Sequence, residues 1–404
     1  LLAGVDPFVS LGVDHEAASL RRCMTAPPAI RDLRDRLKAW LLELAFPIWW
    51  NSGADRAGGG FHDRMDATAR PIVGVKRARV AARQVFSYAV AGEMGWPGPW
   101  RAAMDHGLAF LEAGHRRPDG FYRSFVGAHD DEVDLYDQAF VLLALSSAAR
   151  RGDAGATPKA HALLDLLPCE AVGGFASLDG ARPEANPNMH LLEAFLAWTG
   201  AEPDGPWREL AEGQARLAMR RLIDPESGAL SEHFGPGWTA PRARERVVEP
   251  GHLFEWAWLL LRWSLVSGDA AAFAAATRLI EVAERSGMDP ARNVAVNALD
   301  GRLELIDAGT RLWPQTERLR VALLAGVLTG DASFWDVAID AAAGLDRFLD
   351  VPKPGLWRDS LESDDLSAPA SSLYHLVSAI RQLDAVIEPS PFGLREGPLR
   401  RSRP

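Results

Sequence analysis

The sequence is poor in cysteine, and its two cysteines lie far apart. Cys23 and Cys169 are the only ones among 404 residues. They form neither a CxxC pair nor a spacing that is typical of a structural zinc site. A disulfide framework is therefore not expected, which fits the reducing environment of the cytosol. We predict a cytoplasmic protein.

Long apolar runs and an excess of positive charge are also missing. The longest apolar stretches, such as 256–261, are far shorter than the roughly 20 residues that cross a membrane. Residues 1–26 contain acidic and basic side chains that do not fit a signal peptide. The formal net charge is −10, whereas general binding of nucleic acid needs clustered Lys and Arg. The sequence therefore predicts neither a membrane nor a nucleic-acid partner.

Several common catalytic motifs are absent as well. The chain has no GxGxxG after a strand, no GxxxxGK[ST], no HExxH and no GxSxG. The segment Gly58-Gly59-Gly60 lacks the context of a phosphate loop and is interpreted as a turn. Nothing in these patterns indicates a nucleotide-dependent enzyme, a zinc protease or a serine hydrolase.

What the sequence does contain is a diffuse repeat. Residues 29–45 place apolar side chains at the three-and-four spacing of an amphipathic helix. Turns in which an apolar residue follows Gly recur about every 54 to 73 residues, at Gly60, Gly120, Gly174, Gly228, Gly301 and Gly355. This spacing suits one helix pair per unit. Long loops and histidines at helix starts favour a closed ring over an open solenoid. We predict an all-α protein, an (α/α)6 barrel of six helical hairpins.

No internal segment resembles a domain linker, so a single domain is predicted. Residues 29–388 form the predicted barrel, and residues 1–28 an N-terminal arm packed outside it. Residues 389–404 are rich in Pro and Arg and are predicted to be a disordered tail.

Three histidines stand at the beginnings of apolar helices. His252 follows Pro250-Gly251 and precedes Glu255 by three residues, and His190 precedes Glu193 in the same way. His375 follows a third breaker, at 369–372. Each alone is most simply a histidine bonded to its own helix. If the three helix ends share one face of the fold, however, the side chains converge on a site in which imidazoles can titrate near neutral pH.

Other polar and aromatic residues lie on segments that should approach the same end. Arg83 interrupts an apolar helix, where a charge needs a partner or a ligand. Glu317 opens another helix after Trp313, a position that the helix dipole favours without any function. Tyr122 and Trp357 follow glycine turns, and each alone is expected to pack within its loop. The 14 tryptophans suit flat substrates such as sugar rings.

A zinc site built from the three histidines is a further possibility, because imidazole is the commonest metal ligand. Arg83 would oppose a cation if it shares the site. No metal is therefore predicted.

Taken together, these residues resemble the N-acylglucosamine 2-epimerase superfamily, which also contains mannose isomerases, isomerases of sulfoquinovose metabolism and cellobiose 2-epimerases. The likeness covers residues 29–385. It is carried by Arg83-Gln84 and by the segments 188–194, 249–257, 313–317 and 374–375. The resemblance implies an (α/α)6 barrel with a funnel-shaped sugar site. The compact chain looks most like the mannose isomerase branch, which interconverts mannose and fructose.

The resemblance also implies a reaction and a set of roles. A base removes the C2 proton of an open-chain sugar to give a cis-enediolate, without metal or cofactor. Return of a proton to C1 gives the ketose, and return to the other face of C2 gives the 2-epimer. His252 and His375 match the acid/base pair, with their division of work open. The other matched residues bind or orient substrate: Arg83, Tyr122, His190, Glu193, Glu255, Trp313, Glu317 and Trp357.

Three alternatives remain at this point. The first is a sugar 2-epimerase acting on mannose, an N-acylglucosamine or cellobiose. The second is a glycoside hydrolase or lyase on the same barrel, with Asp134 and Asp137 as candidate acids. The third is a helical scaffold without catalysis. The expected partner is a monosaccharide, and the chain is a monomer or a homo-oligomer.

Overall fold

The computed structural model describes residues 26–127, 131–170, 173–178 and 180–387. Residues 1–25 of the predicted arm and the whole predicted tail lie outside these ranges, as does Cys23. Cys169 is a free, exposed thiol. Across the described residues, none of the helices has the length and apolar character needed to cross a membrane.

Twelve α-helices of nine or more residues account for most of the described chain, and they alternate between an outer and an inner ring; a three-residue helical segment, Phe46–Ile48, follows the first of them. In chain order they are α1 (Pro28–Trp40), α2 (Ala78–Glu93), α3 (Trp100–Phe110), α4 (Leu135–Arg150), α5 (Ala156–Leu164), α6 (Ala185–Ala201), α7 (Trp207–Leu217), α8 (Pro250–Ser267), α9 (Ala270–Ser286), α10 (Leu312–Thr329), α11 (Ser333–Leu349) and α12 (Ser371–Ile387). Even-numbered helices form the inner ring, in which each packs on the next and α12 packs on α2. The predicted (α/α)6 barrel is confirmed.

The two rings differ in their apolar pattern. Inner helices are buried on nearly every face; in α2 only the first-turn Arg79 and the last two residues escape full burial. Outer helices bury one stripe, as in α11, where Trp335, Ala338, Leu345 and Phe348 follow the three-and-four spacing. A helix that is apolar all round needs protein on all sides, which the inner ring supplies.

The sixth hairpin is assembled from the two ends of the described chain. Helix α12 has no outer helix after it within the described residues and packs on α1 instead. Asp384 on α12 binds Arg34 at 3.0 Å and Lys38 at 2.8 Å, both on α1. The ring is therefore closed by the pairing of its first and last helices.

Ten strands of two or three residues occur in the loops of the described chain. They are β1 (Arg64–Met65), β2 (Pro71–Ile72), β3 (Lys76–Arg77), β4 (Phe125–Val126), β5 (Val247–Val248), β6 (Met288–Asp289), β7 (Val294–Ala295), β8 (Ala298–Asp300), β9 (Leu305–Asp307) and β10 (Ala368–Pro369). All pairings are antiparallel, in the orders β10-β1-β2, β3-β4, β5-β8-β9 and β6-β7. Arg64 lies opposite Pro369, and Val247 opposite Asp300.

Three of these four sheets join loops that precede neighbouring inner helices. Strands β10 and β1 precede α12 and α2, β3 and β4 precede α2 and α4, and β5 and β8 precede α8 and α10. The N-terminal ends of the inner helices are thereby fixed to one another. This end of the barrel, which we call the front, carries the longer loops.

The turns after the outer helices match five of the six predicted glycine turns. Residues paired across them include Arg116 with Tyr122 and Ile223 with Leu230, and Gly120 has φ 97°, a region that favours glycine. The fifth predicted turn, at Gly301, is present but does not follow an outer helix. The turn after α9 joins β6 to β7 and uses Asn293 at φ 55°, because Asn tolerates the left-handed conformation. Gly301 lies instead between β8 and β9.

Side-chain amides attach inner helices to these turns. Gln138 on α4 binds both the N–H and the C=O of Tyr122, at 3.0 and 2.8 Å. Asn188 on α6 does the same with Phe175, and Gln315 on α10 with Ala295. Both Asn188 and Gln315 stand two residues before a predicted site residue. Buried amides of this kind fix the start of each helix, and with it the neighbouring side chain.

Candidate active site

A cavity with an empty volume of ≈ 680 Å³ opens at the front of the barrel. Helices α6, α8 and α12 bring His190, His252 and His375 to its wall, as the breaker-then-histidine pattern predicts. The remaining lining residues are Arg83, Tyr136, Asn186, Glu249, Glu255, Arg311, Trp313, Asp359, Ser371 and Ser372. Glu193 and Glu317 lie directly beneath, buried and in contact with two of the histidines.

His252 lies in the first turn of α8 and pairs with a carboxylate from a loop. Its Nδ1 is 2.8 Å from Glu232 and 3.9 Å from Glu249. Burial disfavours the imidazolium, but the negative charges of Glu232 and Glu249 outweigh it and raise the pKa of His252 to about 9. His252 is therefore protonated at neutral pH, and Nε2 is the nitrogen left for a substrate.

His375 on α12 has the opposite charge state. Its Nδ1 hydrogen-bonds Glu317 at 2.8 Å, and because a carboxylate only accepts, Nδ1 donates. Burial lowers the pKa of His375, and the pairing with Glu317 does not restore it. Glu317 is also bound by Arg320 at 3.2 Å, so its charge is shared. A neutral His375 has a free Nε2 lone pair and can act as a base.

Beneath the histidines, three buried carboxyl groups surround one guanidinium. Arg320 on α10 binds Glu193 at 3.1 Å and Glu317 at 3.2 Å. Despite burial, the contacts with Arg320 and a histidine lower the pKa values of Glu193 and Glu317. Burial and the charges of these two glutamates raise the pKa of Glu255 well above its usual range. Glu255 is therefore the member that holds a proton.

His190 is the most deeply set of the three histidines. It is 2% exposed, and its Nδ1 is 3.3 Å from Glu193. Burial lowers its pKa to about 4, so the ring is neutral at neutral pH. Its edge and face contact Tyr136 and Phe140, with ring centroids 5.0 and 4.4 Å away. A neutral ring of this kind can hydrogen-bond a ligand but carries no charge.

Arg83 supplies positive charge to the wall of the cavity. Its Nη2 donates to the hydroxyl of Tyr136 at 2.6 Å, and its guanidinium lies 4.2 Å from the centroid of Phe140. In the part of the chain that the structure describes, no carboxylate pairs with it. A desolvated guanidinium without a counter-ion is suited to stabilise an oxyanion.

Trp313 forms an aromatic wall between the two candidate acid/base residues. Its ring centroid is 4.8 Å from that of His252 and 5.7 Å from that of His375. Gly251 makes room for it, because a Cβ there would lie 2.5 Å from the indole. The Pro-Gly pair before His252 therefore has a steric role at the site as well as a role in starting the helix.

The structure does not bring Tyr122 and Trp357 to the cavity. Tyr122 is 1% exposed and donates its hydroxyl to Glu112 at 2.7 Å. Trp357 is fully buried and stacks on Trp49, with centroids 5.3 Å apart. Both rings pack inside the protein away from the cavity, so we leave both out of the proposed site.

Several site residues were not predicted from the sequence. They are Glu232, Arg320, Tyr136, Asn186 and Arg311. Arg320 carried a usable signal, because it interrupts an apolar helix as Arg83 does. Glu232 lies two residues after the turn at Gly228–Leu230, but nothing in the sequence directs it toward His252.

Among the residues that the structure describes, two groups of side chains lie as close together as metal ligands do. They are His190 with Glu193 and Glu255, and Glu255 with Glu317 and His375, with ligand atoms within 4.8 Å of one another. Arg320 already binds two of these carboxylates. The positive charge of Arg320 already compensates these carboxylates, as a metal ion would. The two groups therefore fit a guanidinium better than a metal ion.

The two acids considered for a glycoside hydrolase make structural contacts outside the cavity. Asp137 is fully buried and binds Arg79 at 2.8 Å. Asp134 caps α4 through the N–H of Tyr136 at 3.0 Å. Neither lines the cavity, so this pair does not flank a bond in a bound glycoside.

Comparison with known proteins finds relatives that match most of the chain. A mannose-6-phosphate isomerase of Rhizobium meliloti is 42% identical over 372 residues, which cover 86% of this chain and 96% of the relative. A D-mannose isomerase of Thermobifida fusca is 29% identical over 386 residues, covering 79% and 90% of the two chains. Among solved structures, a D-mannose isomerase superposes with a TM-score of 0.80 at 21% identity, covering 86% and 97%.

A family model supplies the last comparison. Residues 59–379 match the model of N-acylglucosamine 2-epimerase (GlcNAc 2-epimerase). The matched range begins at the first hairpin turn and ends within α12, so it includes every residue that lines the front cavity. The chain belongs to the N-acylglucosamine 2-epimerase family.

Proposed function

We propose that this protein is an aldose–ketose isomerase of the mannose/fructose type that works through a metal-free enediolate. The observation that carries the proposal is a pair of histidines in opposite protonation states on either side of Trp313. His252 has a pKa of about 9, whereas the pKa of His375 is lowered. The names of the two relatives, one a mannose isomerase and one a mannose-6-phosphate isomerase, support this class of reaction.

The charge states suggest a division of work. Neutral His375 removes the C2 proton of the open-chain aldose, and the C–H electron pair forms the C1–C2 double bond while O1 takes the negative charge. Protonated His252 and Arg83 stabilise that oxygen. Protonated His252 gives a proton to O1 and then takes the proton of O2. The His375 imidazolium, whose proton exchanges with solvent, protonates C1, and the ketose results. Buried Glu317 holds the tautomer of His375 throughout.

The cavity favours an uncharged sugar over a sugar phosphate. Its lining contains two arginines, and Arg311 is already paired with Glu249 at 2.6 Å. Arg83 is 5% exposed and lies deep in the cavity, where we place the enediolate. Asp359, in the lining, adds negative charge. Apart from Arg83, a 6-phosphate would meet no unpaired arginine among the described lining residues, so we expect mannose to be turned over with a higher kcat/KM than mannose 6-phosphate.

Exchange in D2O tests the proposal. Mannose is incubated with chelator and no added metal, and the products are followed by NMR. Fructose carrying deuterium at C1 is expected. Glucose as the main product would show that the enzyme is a 2-epimerase and not an isomerase. If neither mannose nor mannose 6-phosphate exchanges deuterium, the proposed class of reaction is contradicted. Parallel assays of mannose and mannose 6-phosphate show which of the two is the better substrate.

A further inference from the structure

A second cavity lies at the opposite end of the barrel, which we call the rear. Its empty volume is ≈ 800 Å³. It opens where α2 and α4 end, at Glu93 and Arg150. The Arg320–Glu193 pair and Trp258 line its inner end. The same pair lies under the front histidines, so one layer of side chains separates the two cavities.

The lining of the rear cavity carries more positive than negative charge. Arginines at positions 150, 262, 320 and 381 line it, against glutamates at 93 and 193. Glu93 binds Arg381 at 3.0 Å and Arg151 in a still shorter contact, and lies 4.0 Å from Arg150. One carboxylate at the mouth is thus surrounded by three guanidinium groups. An arrangement of this kind attracts anions.

Two residues of α12 that line the same cavity carry buried donors without an acceptor. Ser378 is 4% exposed and Gln382 6% exposed, and both line it. Trp258 donates its Nε1–H to Oε1 of Gln382 at 3.1 Å. Because an indole can only donate, this bond fixes the orientation of the amide. Nε2 of Gln382 and Oγ of Ser378 have no hydrogen-bond partner among the described residues.

A buried donor without a partner costs free energy, and an oxyanion would supply the missing acceptors. Apolar side chains, among them Phe86, Leu143 and Leu196, form the rest of the wall. We propose that the rear cavity is a binding site for a small organic oxyanion, a carboxylate or phosphate on a short apolar body. Ser378, Gln382 and Arg381 hold the charged group.

Isothermal titration calorimetry with inorganic phosphate and with butyrate tests the site, at an ionic strength held constant with sodium chloride. Saturable one-site binding of at least one probe is expected, and which probe binds distinguishes phosphate from carboxylate. Gln382→Glu keeps the shape and the acceptor for Trp258 but adds a negative charge, so affinity should fall at least tenfold. Ser378→Ala removes one donor with minimal change of volume and should weaken binding severalfold.

Two control variants locate the bound anion. Arg83→Ala removes a cation from the front cavity only, and Arg36→Ala removes an exposed arginine that pairs with Asp346 on the outer surface. Binding should be unchanged in both. The proposal is overturned if neither probe saturates, or if binding is lost in Arg83→Ala and kept in Gln382→Glu and Ser378→Ala.

Discussion

The first turns of α8 and α12 present the same local arrangement with opposite results. In each, a histidine Nδ1 lies 2.8 Å from a carboxylate oxygen. The pKa is raised to about 9 for His252 and lowered for His375. The carboxylate of Glu232 pairs with His252, whereas the carboxylate of Glu317 pairs with both His375 and Arg320. The positive charge of Arg83 further lowers the pKa of His375. The protonation state of a buried histidine is therefore set by what its partner binds in turn.

Removing either imidazole should give the largest effect. General acid–base groups contribute roughly 10²- to 10⁴-fold to rates, so His252→Asn and His375→Asn should each lower kcat by about this factor. His161→Asn is the matched control, because this half-exposed histidine pairs with Glu202 outside the cavity. Deuterium exchange at C2 and circular dichroism of each variant separate loss of chemistry from loss of fold. A variant that keeps substantial turnover would remove that histidine from the proposed mechanism.

Arg320 should matter for stability as much as for chemistry. Arg320→Met leaves Glu193 and Glu317 buried without their shared cation, and breaking a buried pair in this way costs about 3–5 kcal/mol. The free energy of unfolding in urea measures it. Arg36→Met, which breaks an exposed pair with Asp346, should cost less than about 1 kcal/mol. Equal losses in the two variants would show that the buried layer is not a major determinant of stability.

Glu232→Gln should abolish the contrast between the two histidines. Without that carboxylate, burial dominates and the pKa of His252 falls from about 9. Activity that needs protonated His252 is lost as the pH rises through this pKa, so the alkaline limb of the kcat profile moves to lower pH. The acid limb, set by neutral His375, should stay in place.

The pH dependence of the free energy of unfolding of Glu232→Gln gives an independent check on the raised pKa of His252. In the wild type the folded-state pKa of His252 lies above its ordinary value of 6.5. Its stabilising contribution is therefore complete below pH 6.5 and disappears as the pH rises through about 9. The variant should lack this pH dependence. Glu184→Gln, which affects the more exposed His233, is the control, and unmoved pH limits in Glu232→Gln would contradict the assignment.

The smallest effect is expected from Glu249→Gln. Glu249 is 3.9 Å from Nδ1 of His252 and contributes less than Glu232 to the raised pKa. The alkaline limb should move in the same direction as in Glu232→Gln, but by less. A larger shift than that of Glu232→Gln would show that Glu249, and not Glu232, contributes more to the raised pKa of His252.

Much of the fold and part of the site could be predicted because the signals are local. Turn residues, helix periodicity and breakers before His190, His252 and His375 all act within a few residues. The partners of these side chains come from distant segments: Arg320 meets Glu193 across 127 positions of sequence. Trp357 was placed in the site because a sequence does not show on which side of a turn a ring packs.

The packing of α1 against α12 affects how the chain folds. The contact of Arg34 with Asp384 spans 350 positions of sequence. Five hairpins can form as the chain leaves the ribosome, but the ring closes only after α12 has been made. Until then the apolar sides of α1 and α2 that α12 will cover stay open to solvent. Late, long-range closure slows folding and exposes surfaces that aggregate or bind chaperones, so shortening either end back into α1 or α12 should impair solubility before it impairs helix content.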